Sequence, residues 1–378
     1  MDDELPLGSL GPVENDTRQK LGQLLWEWKL CGECDTAPSC TQRGCPWSRA
    51  ETLRLFWDLY ERMTDAYCPE RLGRKAALSS HGGLIDMMRT IKECRSIARQ
   101  DLLLEHFEAH RVGGDRPPTL NDQNRAFNIG ASLLLMMDFG VLHDAANSVE
   151  GNHPRIQWRD RVSMNNFVDE AFPSMLTKVD MRSITVNLTA MQLKKNGKLR
   201  LKATNDVRRH LVVDHEERTV WVFQHDSMLR ELLRAGDPNQ YAGVLPRELI
   251  LELLDTIHIV LFPSNPESYK LLESLVSKNR FDSGLLTLAS VPYRKSGDPE
   301  VSYTYFGERL VALKDELQSP RPHGWLQERL GRKRDTYMLM ATMVGVFIAV
   351  LIGLLGLCVS TFQAWVAYQQ WKHPKTEA

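Results

Sequence analysis

From Thr336 through Trp371 the chain carries no charged side chain. Inside that run, Met338 to Cys358 reads MLMATMVGVFIAVLIGLLGLC. As a helix this stretch is about 31 Å long, the apolar thickness of a bilayer. A helix satisfies its own backbone polar groups in lipid, and this one has no polar face to turn toward water. Tyr337 marks one edge, and Trp365, Tyr368 and Trp371, spaced three apart, form an aromatic belt at the other. The expectation is a transmembrane helix over 337–365 with a short tail over 366–378. Gly345, Ala349 and Gly353 recur every four residues, a stripe that would let two such helices pack closely and so form a homo-oligomer.

Flanking charge sets the expected orientation. Arg329, Arg332, Lys333 and Arg334 precede the span, whereas only Lys372 and Lys375 are basic beyond it. The excess of positive charge places the N-terminal body in the cytosol, in a single-pass, tail-anchored arrangement with the lipid bilayer as its first partner. The opening MDDELPLGSLGPVEND is acidic and lacks an apolar core, so it is neither a signal peptide nor an Arg-rich transit peptide. Nothing in the sequence selects the organelle.

The remainder has an ordinary globular balance. Of 378 residues, 25% are charged and 43% hydrophobic, with 47 basic against 48 acidic side chains. That excludes a chain disordered throughout and a globally basic nucleic-acid coat. The patterning predicts a mainly α protein with a small β element (α+β) plus the one C-terminal transmembrane helix. A disordered N-terminus over 1–17 precedes a helical domain over 18–150. An α+β domain follows over 155–318, then a basic juxtamembrane linker over 319–336. Helices are expected at 18–31, at 49–66 behind a Ser48-to-Glu51 capping box, at 83–110, and at 120–139 behind Thr119. AFNIGASLLLMM in the last of these reads as the central core helix. Strands are expected at 199–203, 211–214 and 219–225, with HEER (215–218) as a hairpin turn and a short helix at 205–210. Apolar spacing predicts a helix over 246–261, and Ser264 to Glu267 a further capping box.

Four of seven cysteines, Cys31, Cys34, Cys40 and Cys45, fall within fifteen residues as C-x2-C-x5-C-x4-C. Four thiolates so spaced can surround one tetrahedral zinc ion, which would then be structural because no position stays open. One or two disulfides, or free thiols, are the alternatives. From 194 to 234 ten basic residues face six acidic ones. The order of elements there resembles a winged-helix unit, but the anchor and the neutral whole argue against nucleic acid, and a solvated or partner-docking face is expected. Asn121 to Arg125 is a polar cluster that capping and turn chemistry explain. The chain has no H-E-x-x-H, G-x-S-x-G, Walker loop or G-x-G-x-x-G, so no catalytic or cofactor-binding residue is assigned.

Several stretches, RPPTLNDQNRAFNIGASLLLMMDFG (116–140), TNDVRRHLVVD (204–214), VWVFQHDSMLRELLR (220–234), YFGERL (305–310) and the closing 340–374, resemble an uncharacterised family of filamentous-fungal proteins. The resemblance covers most of the chain after about residue 20 and is most specific in the terminal segment. It implies a fungal origin, a mostly helical body and one C-terminal membrane helix, with relatives in some cases near secondary-metabolite genes. It transfers no activity. The function expected is a membrane-tethered cytosolic interaction or accessory protein; the alternative is a tail-anchored enzyme of a secondary-metabolite pathway whose active site carries no motif.

Overall fold

The computed structural model describes residues 10–31, 34, 40, 44–69, 76–109, 117–141, 157–174, 188–235, 241, 243–278, 281–287, 291–318 and 337–372. The chain divides into two units, Met1–Gln318 and Ser319–Ala378. The body is mainly helical with one three-stranded sheet, as the patterning predicts.

The body opens with α1 (Asn15–Trp26), which starts inside the stretch expected to be disordered and stops five residues before the expected end. The stop has a local cause. Glu27 takes the left-handed conformation, and Trp28 N–H donates back to Gly22 O. Trp28 thereby lands on Gly22, where an added Cβ would lie 2.3 Å from the indole. Gly22→Ala should therefore push Trp28 out of its seat and cost about 1–3 kcal/mol, as overpacking does, read as a lower midpoint in urea.

A 3-10 helix over Pro46–Leu53 leads into α2 (Arg54–Asp65). The expected capping box at Ser48 is absent: Ser48 Oγ donates to Cys45 O instead, and Pro46 holds the first turn. The single helix expected over 83–110 is two, α3 (His81–Glu93) and α4 (Arg99–Ala109). Neither Gly nor Pro marks the break. Backbone groups there are claimed by a distant segment: Ala98 bridges Ser163, Arg99 N–H donates to Val162 O and Asn165 N–H to Arg95 O. Helix α5 (Leu120–Leu135) is capped by Thr119 and buried along Ala126, Phe127, Ile129 and Leu133, the central helix expected.

Helices α6 (Met164–Ala171) and α7 (Ala190–Lys195) precede the sheet. Strands β1 (Arg200–Thr204), β2 (Val213–Asp214) and β3 (Thr219–Phe223) lie in the order β1-β3-β2. β1 runs parallel to β3, with Lys202 opposite Trp221, and β2 runs antiparallel to it across the HEER turn. A 3-10 turn over Val207–Arg209 stands where the short helix was expected. Helix α8 (Asp226–Arg234) follows, then α9 (Arg247–Asp255), which continues as a π-helical turn over Thr256–Leu261. The cap of α10 (Pro266–Val276) is Asn265, whose side chain accepts from Ser268 N–H, one residue later than expected. Short α11 (Gly284–Thr287) and α12 (Gly307–Gln318) complete the body.

The boundary expected near 150–155 lies outside the described residues. Elements on both sides of it, from Leu21 to Leu313, contribute to one hydrophobic core.

The second unit contains α13 (Tyr337–Lys372), one continuous helix that extends seven residues beyond the expected span. The residues after Trp365 are uncharged up to Lys372 and hold no helix breaker, so nothing stops the helix there. Within it, Val344–Gln369 is long and apolar enough to cross a membrane and is unburied. The basic quartet Arg329, Arg332, Lys333 and Arg334 lies outside the described residues.

Candidate metal centre and the buried charges behind it

The four expected ligands are brought together. The sulfurs of Cys31, Cys34, Cys40 and Cys45 all lie within 4.8 Å of one another. Cys31 Sγ is 3.6 Å from Cys40 Sγ, and Cys34 Sγ is 3.5 Å from Cys45 Sγ. A disulfide would need about 2.0 Å, so neither pair is bonded sulfur to sulfur. Sulfurs bound at about 2.3 Å around a tetrahedral ion stand about 3.8 Å apart, close to the spacing seen.

Local backbone chemistry builds this arrangement. Cys34 N–H donates to Cys31 O, and Pro46 starts the 3-10 helix directly after Cys45. Burial pushes the Cys45 thiol up, but backbone N–H groups of Trp47 and Cys31, with the thiols of Cys34 and Cys40, draw it down to about 7. Donors aimed at a sulfur favour the thiolate, the form that binds metal. The Cys34 thiol is held high by its neighbours Cys40 and Cys31 and by burial. Bringing four thiolates together without a cation is unfavourable, so the donor set fits a divalent metal. All four sulfurs would be consumed in holding it, which suits a structural ion.

The centre is tied to the core through aromatic rings. Cys34, Cys45 and Trp47 form a small buried cluster. Trp47 meets Trp28 at 5.8 Å between centroids, and Trp28 meets Trp26 at 5.3 Å. It is also tied through charge. Glu231 on α8, 2% exposed, accepts from Trp28 Nε1 at 3.1 Å and from Arg49 Nε and Nη2 at 2.7 and 3.0 Å, and pairs with Arg234. Arg49 Nη1 also donates to Cys45 O at 3.5 Å. Desolvation opposes ionisation of Glu231, but the cations of Arg49 and Arg234 outweigh it and lower its pKa.

Glu231 is the residue the sequence conceals. The stretch 194–234 was expected to be a solvated or docking face, and for α8 that is wrong: Asp226 through Leu233 are all buried. Its charges are therefore paired inside the body. Asp226 accepts from Arg230 Nε at 2.8 Å and lies 2.6 Å from His258 Nε2. Nearby, Ser227 N–H and Oγ both donate to Asp282. Arg208 pairs with Asp206, Arg218 with Glu316, and Arg209 stacks on Trp221 at 3.7 Å. Lys194, Lys195, Lys198 and Arg200 do face solvent. In the polar cluster at α5, Asp122 N–H donates to the Thr119 cap as expected, whereas its carboxylate accepts from Tyr67 Oη and Ala77 N–H, tertiary contacts that capping and turn chemistry do not explain. A surface cavity of about 530 Å³ between α1 and α3 is lined by charged side chains, of which Lys92 donates to Leu24 O and Arg95 to Gly243 O.

Trp365, Tyr368 and Trp371 are exposed on α13. Nothing lies within 4 Å of a Cβ built on Gly345 or Gly353.

Two buried histidines make stability depend on pH. Phe223 N–H donates to His210 Nδ1, so the ring's proton sits on Nε2, which donates to Thr256 Oγ at 2.7 Å. Burial, then the Arg309 cation, holds His210 well below its ordinary value, and burial with the Arg62 cation takes His225 down to about 3. Unfolded histidines take up protons below about pH 6.5 while these do not, so their contribution is lost as pH falls through that value. Burial pushes Glu252 and Asp282 up to about 7. These bind protons first in the folded state, so their contribution is lost as pH rises from about 4 to 7. The two effects oppose one another in the same window. Replacing His225 by Gln should remove its share of the histidine side and leave that of His210. From pH 7 to pH 5 the variant should gain about 2 kcal/mol relative to wild type, read from paired urea melts.

The chain matches no protein-family model, no curated protein and no solved structure.

Proposed function

We propose that this is a membrane-anchored interaction or accessory protein whose body faces the cytosol and is braced by a structural zinc ion. The observation that carries the anchor is the helix Val344–Gln369, with mean hydropathy 2.5 and none of it buried. Leu354, Leu355, Leu357 and Phe362 are each more than half exposed, a surface that lipid would cover. The cytosolic orientation is supported by the basic residues before the span. Tethering confines the body to two dimensions and raises its effective concentration against partners on the same membrane, which is how an anchored accessory protein gains avidity. Zinc is supported by the all-sulfur donor set and the sulfur spacing.

Two measurements test the proposal. The full chain should sediment with membranes and resist alkaline carbonate, deletion of 337–372 should release it to the supernatant, and protease added to intact microsomes should digest the body. Full-length protein in the supernatant, or a protected body, overturns the anchor or its orientation. Protein purified under reducing conditions should carry about one equivalent of zinc; under about a tenth of an equivalent overturns the metal.

A further inference from the structure

We propose that the cysteine centre is an oxidation site for hydrogen peroxide or a like two-electron oxidant, which joins Cys31 to Cys40 first and Cys34 to Cys45 second and so expels the metal. Metal release rests on the zinc reading above; the pairing does not.

Exposure carries the argument, and the sulfur distances permit it. Cys34 and Cys45 are each 3% exposed and packed under Trp47, whereas Cys31 and Cys40 are partly open to solvent. The oxidant therefore meets Cys31 or Cys40, and the other sulfur of that pair stands 3.6 Å away. The buried pair, at 3.5 Å, is matched in the same way but shielded. Four cysteines allow three pairings. This one is crossed, and it is the pairing that joins open to open and buried to buried.

The chemistry balances. A thiolate of the open pair attacks the peroxide O–O bond, leaving a sulfenic acid and, after proton uptake, one water. The second thiolate attacks that sulfur, the S–S bond forms, and the hydroxyl leaves as a second water. Two electrons pass from the two sulfurs to one peroxide, and two protons are consumed. The metal, left with two of four ligands, departs as the hydrated ion. A dithiol reverses the step by exchange and restores the site.

The test uses the full chain in detergent, reduced, freed of reductant and titrated with hydrogen peroxide, with released zinc followed by a chromogenic chelator. Glu33, Asp35 and Arg43 separate the four cysteines in sequence, so cleavage at those residues resolves every pairing. At one equivalent of peroxide the expected product is the Cys31–Cys40 disulfide, with one zinc released per disulfide. Further peroxide should add Cys34–Cys45, and dithiothreitol with zinc should restore the starting state. A first disulfide between Cys31 and Cys34, or thiols still reduced at a tenfold excess of peroxide, overturns the proposal. Protein that carries no zinc when reduced overturns the metal reading alone, and its peptide map still decides the pairing.

Discussion

Cys34→Ser should leave the protein with under about a tenth of an equivalent of zinc and loosen the segment around residues 28–49 while the rest of the body stays folded. Cys34 is buried and its N–H donates to Cys31 O, so its sulfur is a fixed corner of the cluster. A serine hydroxyl there is a poor zinc ligand, and three remaining thiolates would lie close together without a cation. The loss should be at least about 3 kcal/mol, a fall of about 4–5 °C in melting temperature for a body of this size. It should be centred there, because Cys34, Cys45 and Trp47 form a small cluster separate from the main core of Leu21 to Leu313. Trypsin should cut after Arg43 faster in the variant than in wild type. Cys68→Ser, at an exposed cysteine outside the cluster, is the control and should change neither zinc content nor cleavage. A variant that kept its zinc and its melting temperature would show that the four sulfurs do not act as one site.

What could be read from the sequence follows the range of the forces involved. The long apolar C-terminal helix was legible because length and hydropathy depend only on consecutive side chains. The cysteine cluster was legible because its members are fifteen residues apart or fewer, although spacing alone left zinc, disulfides and free thiols open. Helix α5 and the β2–β3 hairpin were legible for the same reason: Thr119 caps locally, and β-branched runs flank a short turn. The errors fall where distant residues decide. The break between α3 and α4 is made by Val162, Ser163 and Asn165, more than sixty residues away. The early end of α1 is an exception with a local cause, Trp28 packing on Gly22 six residues back, a preference that neither residue shows in isolation. The charges of α8 read as solvent-facing, because a helix with Asp226, Arg230, Glu231 and Arg234 is normally exposed on that side. Only the partners Arg49, His258 and Trp28, up to 203 residues distant, make its burial tolerable.

Glu231→Ala tests that last point and should be among the most damaging single changes in the body. The carboxylate is nearly inaccessible and receives three donors, from Trp28 and twice from Arg49, besides its pairing with Arg234. Removing it strands the indole N–H and a guanidinium that is three-quarters buried. Breaking a buried pair from one side costs about 3–5 kcal/mol, because the other charge stays behind without compensation. Glu231→Gln should cost less, since the amide oxygen still accepts from Trp28 or Arg49 and only the charge is lost. The consequence should reach the metal. Arg49 also donates to Cys45 O, and Trp28 packs against Trp47 beside the ligands, so Glu231 orients the frame that holds Cys45. Loss of such outer support typically weakens metal binding about tenfold or more. Competition with a chromogenic chelator should therefore show zinc held about tenfold less tightly in Glu231→Ala, with Glu231→Gln between it and wild type. Equal zinc affinity in all three proteins, alongside a clear loss of stability in Glu231→Ala, would mean that Glu231 supports the core and not the cysteine centre.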